Sequence, residues 1–146
     1  MGASITLRGD CAELGRLQAF ADAFAHDHGL PSDERARLFI ILEELFTNAA
    51  MHGRGSCGAI VTVTVALGWQ DGRLAIDFLD DGQPFDPLGL PALDLHAAAE
   101  ERTIGGLGVH IVRSLVEEAR YRREGGRNHL HLVRHTGPAA SNLAAG

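Results

Sequence analysis

Val61, Val63, Val65 and Leu67 alternate with Thr62, Thr64 and Ala66, and beyond Asp71-Gly72 the run Leu74-Ala75-Ile76-Asp77-Phe78-Leu79 answers them. Period-two alternation on both sides of an Asp-Gly pair predicts a β-hairpin with one apolar face. A lone hairpin is marginal in water, so this one needs further strands at its edges and a cover over its apolar face.

The flanking sequence supplies both. Ala3 to Arg8 alternates, with Ile5 and Leu7 on one side, as a short strand does. Asp10 with Glu13 three residues later predicts a capping box, opening a helix in which Leu14, Leu17, Ala21 and Phe24 recur at helical spacing until Gly29 and Pro31. Ser32 begins a second helix with Leu38, Ile41, Leu42, Leu45 and Ala49 as its buried stripe, ending at His52-Gly53 before a loop over 53–58. Further on, 106–118 carries Val109, Val112, Leu115 and Val116 on one helical face, and strands over 119–123 and 129–134 flank Gly125-Gly126. The order β, α, α, β, β, long loop, α, β, β predicts the α/β class: a two-layer α/β sandwich with helices on one face of a mixed, mostly antiparallel sheet.

Composition narrows the partners. With 146 residues, 45% of them hydrophobic, the chain suits one globular domain over 1–136, and the Ala/Ser/Gly-rich 137–146 reads as a frayed tail. A net charge of -6 argues against a nucleic-acid or anionic-membrane surface, leaving a protein or small molecule as partner. Cys11 and Cys57 sit in no metal or redox motif and no signal peptide precedes them, so a reduced, cytoplasmic protein is expected. No apolar run approaches the ~20 residues that span a bilayer.

Three segments carry candidate chemistry. Glu44 and Asn48 are four apart on the second helix and so share a face. Asn48 offers a neutral oxygen of the kind Mg²⁺ prefers, while Glu44 is free to act as a base, with Glu43 the other candidate carboxylate. By itself that spacing also fits an ordinary solvated helix face. What raises it is that Asn48 lies among Leu45, Phe46, Ala49 and Ala50, where a polar group needs a reason to be present. Asp80 ends an apolar strand, where its carboxylate suits an amino-bearing base such as adenine, and Gly82 permits close approach. Asp80-Asp81-Gly82 equally fits a common turn, with Asp81 serving only the backbone. Gly105-Gly106-Leu107-Gly108 opens a helix, so its amides and the positive helix end can receive phosphate oxygens, Thr103 adding a hydroxyl; a hinge or close packing is the other reading. Neither a Walker-type P-loop nor a dinucleotide fingerprint is present. From 82 to 104 runs a connection broken by Pro84, Pro87 and Pro91, of a length that is usually functional. In it Asp86 can cap the following segment and Phe85 can plug the loop. Of the eight histidines, His26, His28, His96, His129, His131 and His135 are spaced as exposed or strand-face residues rather than as a metal set, His110 falls on the last helix and His52 at the end of the second.

In order, Leu42-Glu43-Glu44-Leu45-Phe46-Thr47-Asn48-Ala49-Ala50-Met51-His52-Gly53, Asp80-Asp81-Gly82-Gln83-Pro84-Phe85-Asp86-Pro87 and Gly105-Gly106-Leu107-Gly108-Val109 resemble the ATP-binding boxes of the GHKL superfamily, whose fold is also called the Bergerat fold. More closely, they resemble the bacterial anti-sigma factor serine kinases, or switch-protein kinases, over residues 3–134. The resemblance implies Glu44 as catalytic base, Asn48 as Mg²⁺ ligand, Asp80 as the adenine contact with Gly82 beside it, Gly106 and Gly108 as phosphate holders, and the long loop as a lid over ATP or ADP. It further implies a homodimer that sequesters a sigma factor and phosphorylates a STAS-domain anti-anti-sigma protein on serine. Pro84 stands where the wider superfamily often has glycine, and Arg102 is the clearest cation in the lid. A nucleotide-dependent binding module with little kinase activity is the competing expectation, and a histidine-kinase fragment is disfavoured because no phosphoacceptor helices precede the site. Arg16, on the first helix, is a candidate for the partner surface.

Overall fold

A computed structural model describes residues 2–52, 60–89 and 106–135. In chain order these form β1 (Gly2–Arg8), a 3-10 turn (Cys11–Glu13), α1 (Leu14–Asp27), α2 (Ser32–His52), β2 (Thr62–Gln70), β3 (Arg73–Asp80), a second 3-10 turn (Pro87–Gly89), α3 (Gly106–Ser114), β4 (Glu118–Glu124) and β5 (Arg127–His135). The loop expected over 53–58, most of the lid and the tail lie outside the described residues.

The five strands make one sheet in the order β1-β2-β3-β5-β4, and every pairing is antiparallel. The mostly antiparallel sheet expected from sequence is thus wholly so among the described residues. Two tight hairpins set the registers. Asp71 and Gly72 have φ of 52° and 77°, and Gly125 and Gly126 have 62° and 78°, the doubly left-handed pattern that matches the twist of the flanking strands. Because β5 inserts between β3 and β4, Asn128 comes to lie opposite Asp80.

The helices cover one face. Leu17, Leu38, Ile41, Leu42 and Phe46 are fully buried against Val63, Val65, Leu74, Ile76 and Leu132 of the sheet. The stripe predicted for α2 is buried throughout, and of the α1 stripe Leu17, Ala21 and Phe24 are buried while Leu14 packs at the margin.

Two local expectations are corrected. Asp10 does cap, accepting the Ala12 amide at 3.0 Å, but it opens the 3-10 turn before α1. Glu13 does not complete the box: the Asp10 amide is taken by the Arg8 carbonyl at 2.7 Å, and the Glu13 carboxylate accepts from the Arg8 amide at 3.4 Å and from Arg16 at 2.9 Å instead. The last helix stops at Ser114 rather than running to 118. The Leu115 carbonyl accepts from the Arg134 guanidinium at 2.7 Å, and the Glu117 amide donates to Val133 at 2.8 Å, so tertiary partners claim the groups that another helical turn would use. Leu115 and Val116 still pack on the core.

On the sheet face away from the helices, one oxygen of Asp77 accepts from His129 Nε2 at 2.7 Å and from His131 Nδ1 at 2.8 Å. Burial pushes the Asp77 carboxyl up, but the hydrogen bonds of His129 and His131, with their charges, outweigh it and hold the group below the usual carboxylate range. A depressed folded pKa stabilises above the unfolded value near ~3.9, and that contribution fades as pH falls through the folded one. Urea midpoints of the parent should therefore exceed those of Asp77→Asn at about pH 5 and converge with them as pH drops below about 4. A gap that widens on acidification would contradict this.

Candidate functional site

Asp80 ends β3 beneath the inner face of the sheet and is 9% exposed. Its Oδ1 accepts two hydrogen bonds, from the Gly82 amide at 2.9 Å and from Asn128 Nδ2 at 2.9 Å, and neither uses Oδ2. A buried carboxylate needs such donors to stay in place. Asp81, next along, is a turn residue: Oδ1 takes the Thr62 amide at 2.7 Å. Asp86 caps the second 3-10 turn through the Leu88 amide at 2.9 Å.

Asn128 organises this end. Its Nδ2 also donates to the Gln83 carbonyl at 2.9 Å, and its Oδ1 accepts from Tyr121 Oη, from Arg123 Nη1 at 3.1 Å and from the Phe85 amide at 3.3 Å. Arg123 Nη1 further donates to the Gly82 carbonyl at 2.7 Å. The turn after β3 is thereby tied to the β4–β5 hairpin, which fixes the direction of the Asp80 carboxylate.

Asn48 reaches the same place from α2. It lines, with Asp80, Phe78, Phe85, Tyr121 and Asn128, a cavity of ≈ 30 Å³. That is room for about two waters, so a purine would enter only by displacing side chains at its walls. Asn48 is itself 9% exposed, and its Nδ2 has no hydrogen-bond partner among the described residues. Since the two ends of a carboxamide exchange on a flip, the observation is a buried amide with an unpartnered end beside a largely apolar cavity that Asp80 and Asn128 also line. Whichever end faces the cavity, the oxygen could ligate a hard cation such as Mg²⁺ or the nitrogen could donate to an anion.

Glu44, one turn earlier on α2, faces the start of α3. A methyl group added to Gly108 would overlap Glu44 Oε1 and stand 3.1 Å from its Cδ, so only glycine admits the carboxylate there. A negative group beside the first turn of a helix is also favoured by the unpaired amides of that end.

Of the residues singled out from sequence, Asn48 and Asp80 therefore meet at one cavity, Gly82 is bonded to Asp80, and Glu44 meets Gly108 one helical turn from Asn48. Gly106 and Leu107 form the first turn of α3. Thr103, Gly105 and the lid cation Arg102 lie outside the described residues. Arg16 is exposed and paired with Glu13 at 2.9 Å, and His110 lies exposed on α3. Cys11 is a free, exposed thiol. Among the described residues no group of three His, Cys, Asp or Glu side chains is arranged to hold a metal. Sequence reasoning missed Asn128, Tyr121 and Arg123. The available signal was an asparagine just inside a strand, at a position whose neighbours Leu130 and Leu132 face the core.

Residues 7–134 match the family model of the histidine kinase-like ATPase domain. No curated protein gives a significant sequence match. Among solved structures, 13 chains match. One is the crystal structure of the RsbU and RsbW domains of Rv1364c from Mycobacterium tuberculosis, similar with a TM-score of 0.64 and 19% identity over 92% of this chain. The likeness covers 32% of that longer chain and is a likeness of fold. No described helix is long and apolar enough to cross a membrane.

Proposed function

The chain belongs to the histidine kinase-like ATPase domain family, and within it we propose an ATP-dependent protein serine kinase of the anti-sigma type. The observation that carries this reading is the convergence of Asn48 and Asp80 on one cavity, with Glu44 held beside Gly108 one helical turn away. The proposed unit is a homodimer of the domain over 1–136, acting in the cytoplasm. It withholds a sigma factor and transfers phosphate to a STAS-domain antagonist, which then lets go.

In this reading Asp80 Oδ2 accepts from the amino group of adenine while Oδ1 stays tied to Gly82 and Asn128. Asn48 is the residue that would ligate Mg²⁺, which when bound would neutralise charge on the phosphates. The backbone of Gly106, Leu107 and Gly108, with Gly105 and Thr103 before them, would receive phosphate oxygens at the start of α3. Glu44 takes the proton of the acceptor serine as its oxygen bonds to the γ-phosphorus and the bond to ADP breaks. Chemistry of this kind rests on positioning and charge, which the rigid α2 scaffold favours.

Two measurements test it. Calorimetry should give Mg-ATP binding with GTP much weaker, and Asp80→Asn should lose roughly tenfold or more, as expected when a buried charged acceptor for the base amino group is neutralised. Undiminished affinity in that variant would remove Asp80 from the base site. Labelled γ-phosphate should pass from ATP to serine of a STAS-domain protein. Tight ATP binding and sigma-factor capture without any transfer would leave a nucleotide-dependent sequestering module in place of a kinase.

A further inference from the structure

We propose that the face of the sheet opposite the helices carries a second binding site, a groove that docks an acidic segment of a protein partner. The groove has a volume of ≈ 440 Å³ and is lined by Asp77, Arg120, Tyr121, Arg122, His129 and His131. Of its lining only Tyr121 is shared with the cavity of the nucleotide site proposed above. Strand alternation dictates its membership. Asn128, Leu130 and Leu132 point into the core, so His129 and His131 point out, and the β4–β5 register sets Arg122 opposite His129 and Arg120 opposite His131. Asp77 follows on β3, opposite His131.

The chemistry of this lining selects an anion. Four groups able to bear positive charge surround one carboxylate on a protein whose net charge is -6, so the spot is a local reversal of sign. Asp77 is already committed: a single oxygen serves both histidines, and it orients the two rings without balancing the arginines. Among the described residues, Arg120 and Arg122 pair only with neighbours on their own strand, Glu118 at 3.8 Å and Glu124 at 3.1 Å, with the arginine side chains 78% and 66% exposed. Exposed pairs of that kind contribute roughly 0–1 kcal/mol, so an incoming carboxylate exchanges with them at little cost. The guanidinium forks then grip carboxylates through two parallel bonds each.

A metal is the obvious rival for two histidines oriented by one carboxylate. Two guanidiniums at the same groove oppose a cation, and among the described residues no third ligand completes a set. A nucleic acid needs a run of phosphate contacts along a basic surface. On β4 the basic residues end at Glu118 and Glu124 on either side, with Arg127 of β5 opposite Glu124, a span that suits a few side chains of an acidic peptide.

The test uses the full chain and hexaglutamate as probe, with hexaglutamine as the uncharged control. Hexaglutamate should shift the amide and ring resonances of His129, His131, Arg120 and Arg122, bind more weakly as salt rises, and lose about tenfold in affinity for each of Arg120→Ala and Arg122→Ala. Tyr121 lines both cavities and is left intact, so Mg-ATP binding should be unchanged in these variants. That control separates failure of the groove from failure of the nucleotide site. Equal binding of hexaglutamine, full affinity in the double arginine variant, or tighter binding of a single-stranded oligonucleotide or of Zn²⁺ than of hexaglutamate would each overturn the assignment.

Discussion

Replacing Glu44 by glutamine is expected to leave Mg-ATP affinity within about twofold of the parent and to lower phosphotransfer by roughly 10²–10⁴-fold, the range a positioned general base contributes. The amide keeps the size and helix position of the side chain and loses only the ability to take a proton. Gly108→Ala should have a similar effect by a different route. The added methyl overlaps Glu44 Oε1, the far end of a flexible side chain, so the carboxylate swings away while the helices stay packed. The two changes act on one group and should not add: Glu44→Gln placed in the Gly108→Ala background should lose little further rate, whereas independent effects would multiply. Single-turnover transfer to a STAS-domain protein, with melting curves to show an intact fold, checks all three variants. A Glu44→Gln enzyme at parental speed would end the base assignment and direct attention to Glu43.

Elements whose partners are close in sequence were the legible ones. The β2–β3 hairpin follows from alternation and Asp71-Gly72, and the α2 stripe from Leu38 to Ala49 is buried as its spacing requires. What escaped depends on residues far apart. The end of α3 is set by Arg134 and Val133, about twenty residues on, and no local propensity announces them. Asn128 is the sharper case. It pairs with Asp80 across 48 residues because β5 inserts between β3 and β4, and that order is invisible to periodicity. The candidate site was legible on the α2 side, where Glu44 and Asn48 share a helix, and at Asp80-Gly82. Its β4–β5 wall was not, since Tyr121 and Arg123 look like routine strand residues until the register brings them to Asn128.

The same remoteness marks the ion pair whose breaking is expected to cost the most stability among the polar contacts of the described residues. Arg134 on β5 donates to Glu34 on the first turn of α2 through two parallel bonds, Nε to Oε1 at 2.8 Å and Nη2 to Oε2 at 2.9 Å. Its remaining Nη1 holds the Leu115 carbonyl, and Arg37 adds a second cation to Glu34 at 3.2 Å. The Glu34 hydrogen bonds raise the Arg134 pKa further, so the guanidinium stays charged. The side chains are 14% and 8% exposed, which places them among buried pairs, where removing one partner strands the other. Arg134→Ala and Glu34→Ala should each cost about 3–5 kcal/mol, lowering the melting temperature by roughly 10 °C or more. Arg134→Met combined with Glu34→Leu removes both charges and retains bulk, and should recover most of that loss. Urea unfolding of the two single variants and the double replacement closes the comparison. If the double replacement is as unstable as either single one, the pair holds α2 against β5 by its specific geometry; if the single losses stay below ~1 kcal/mol, Arg134 is no tie between the layers.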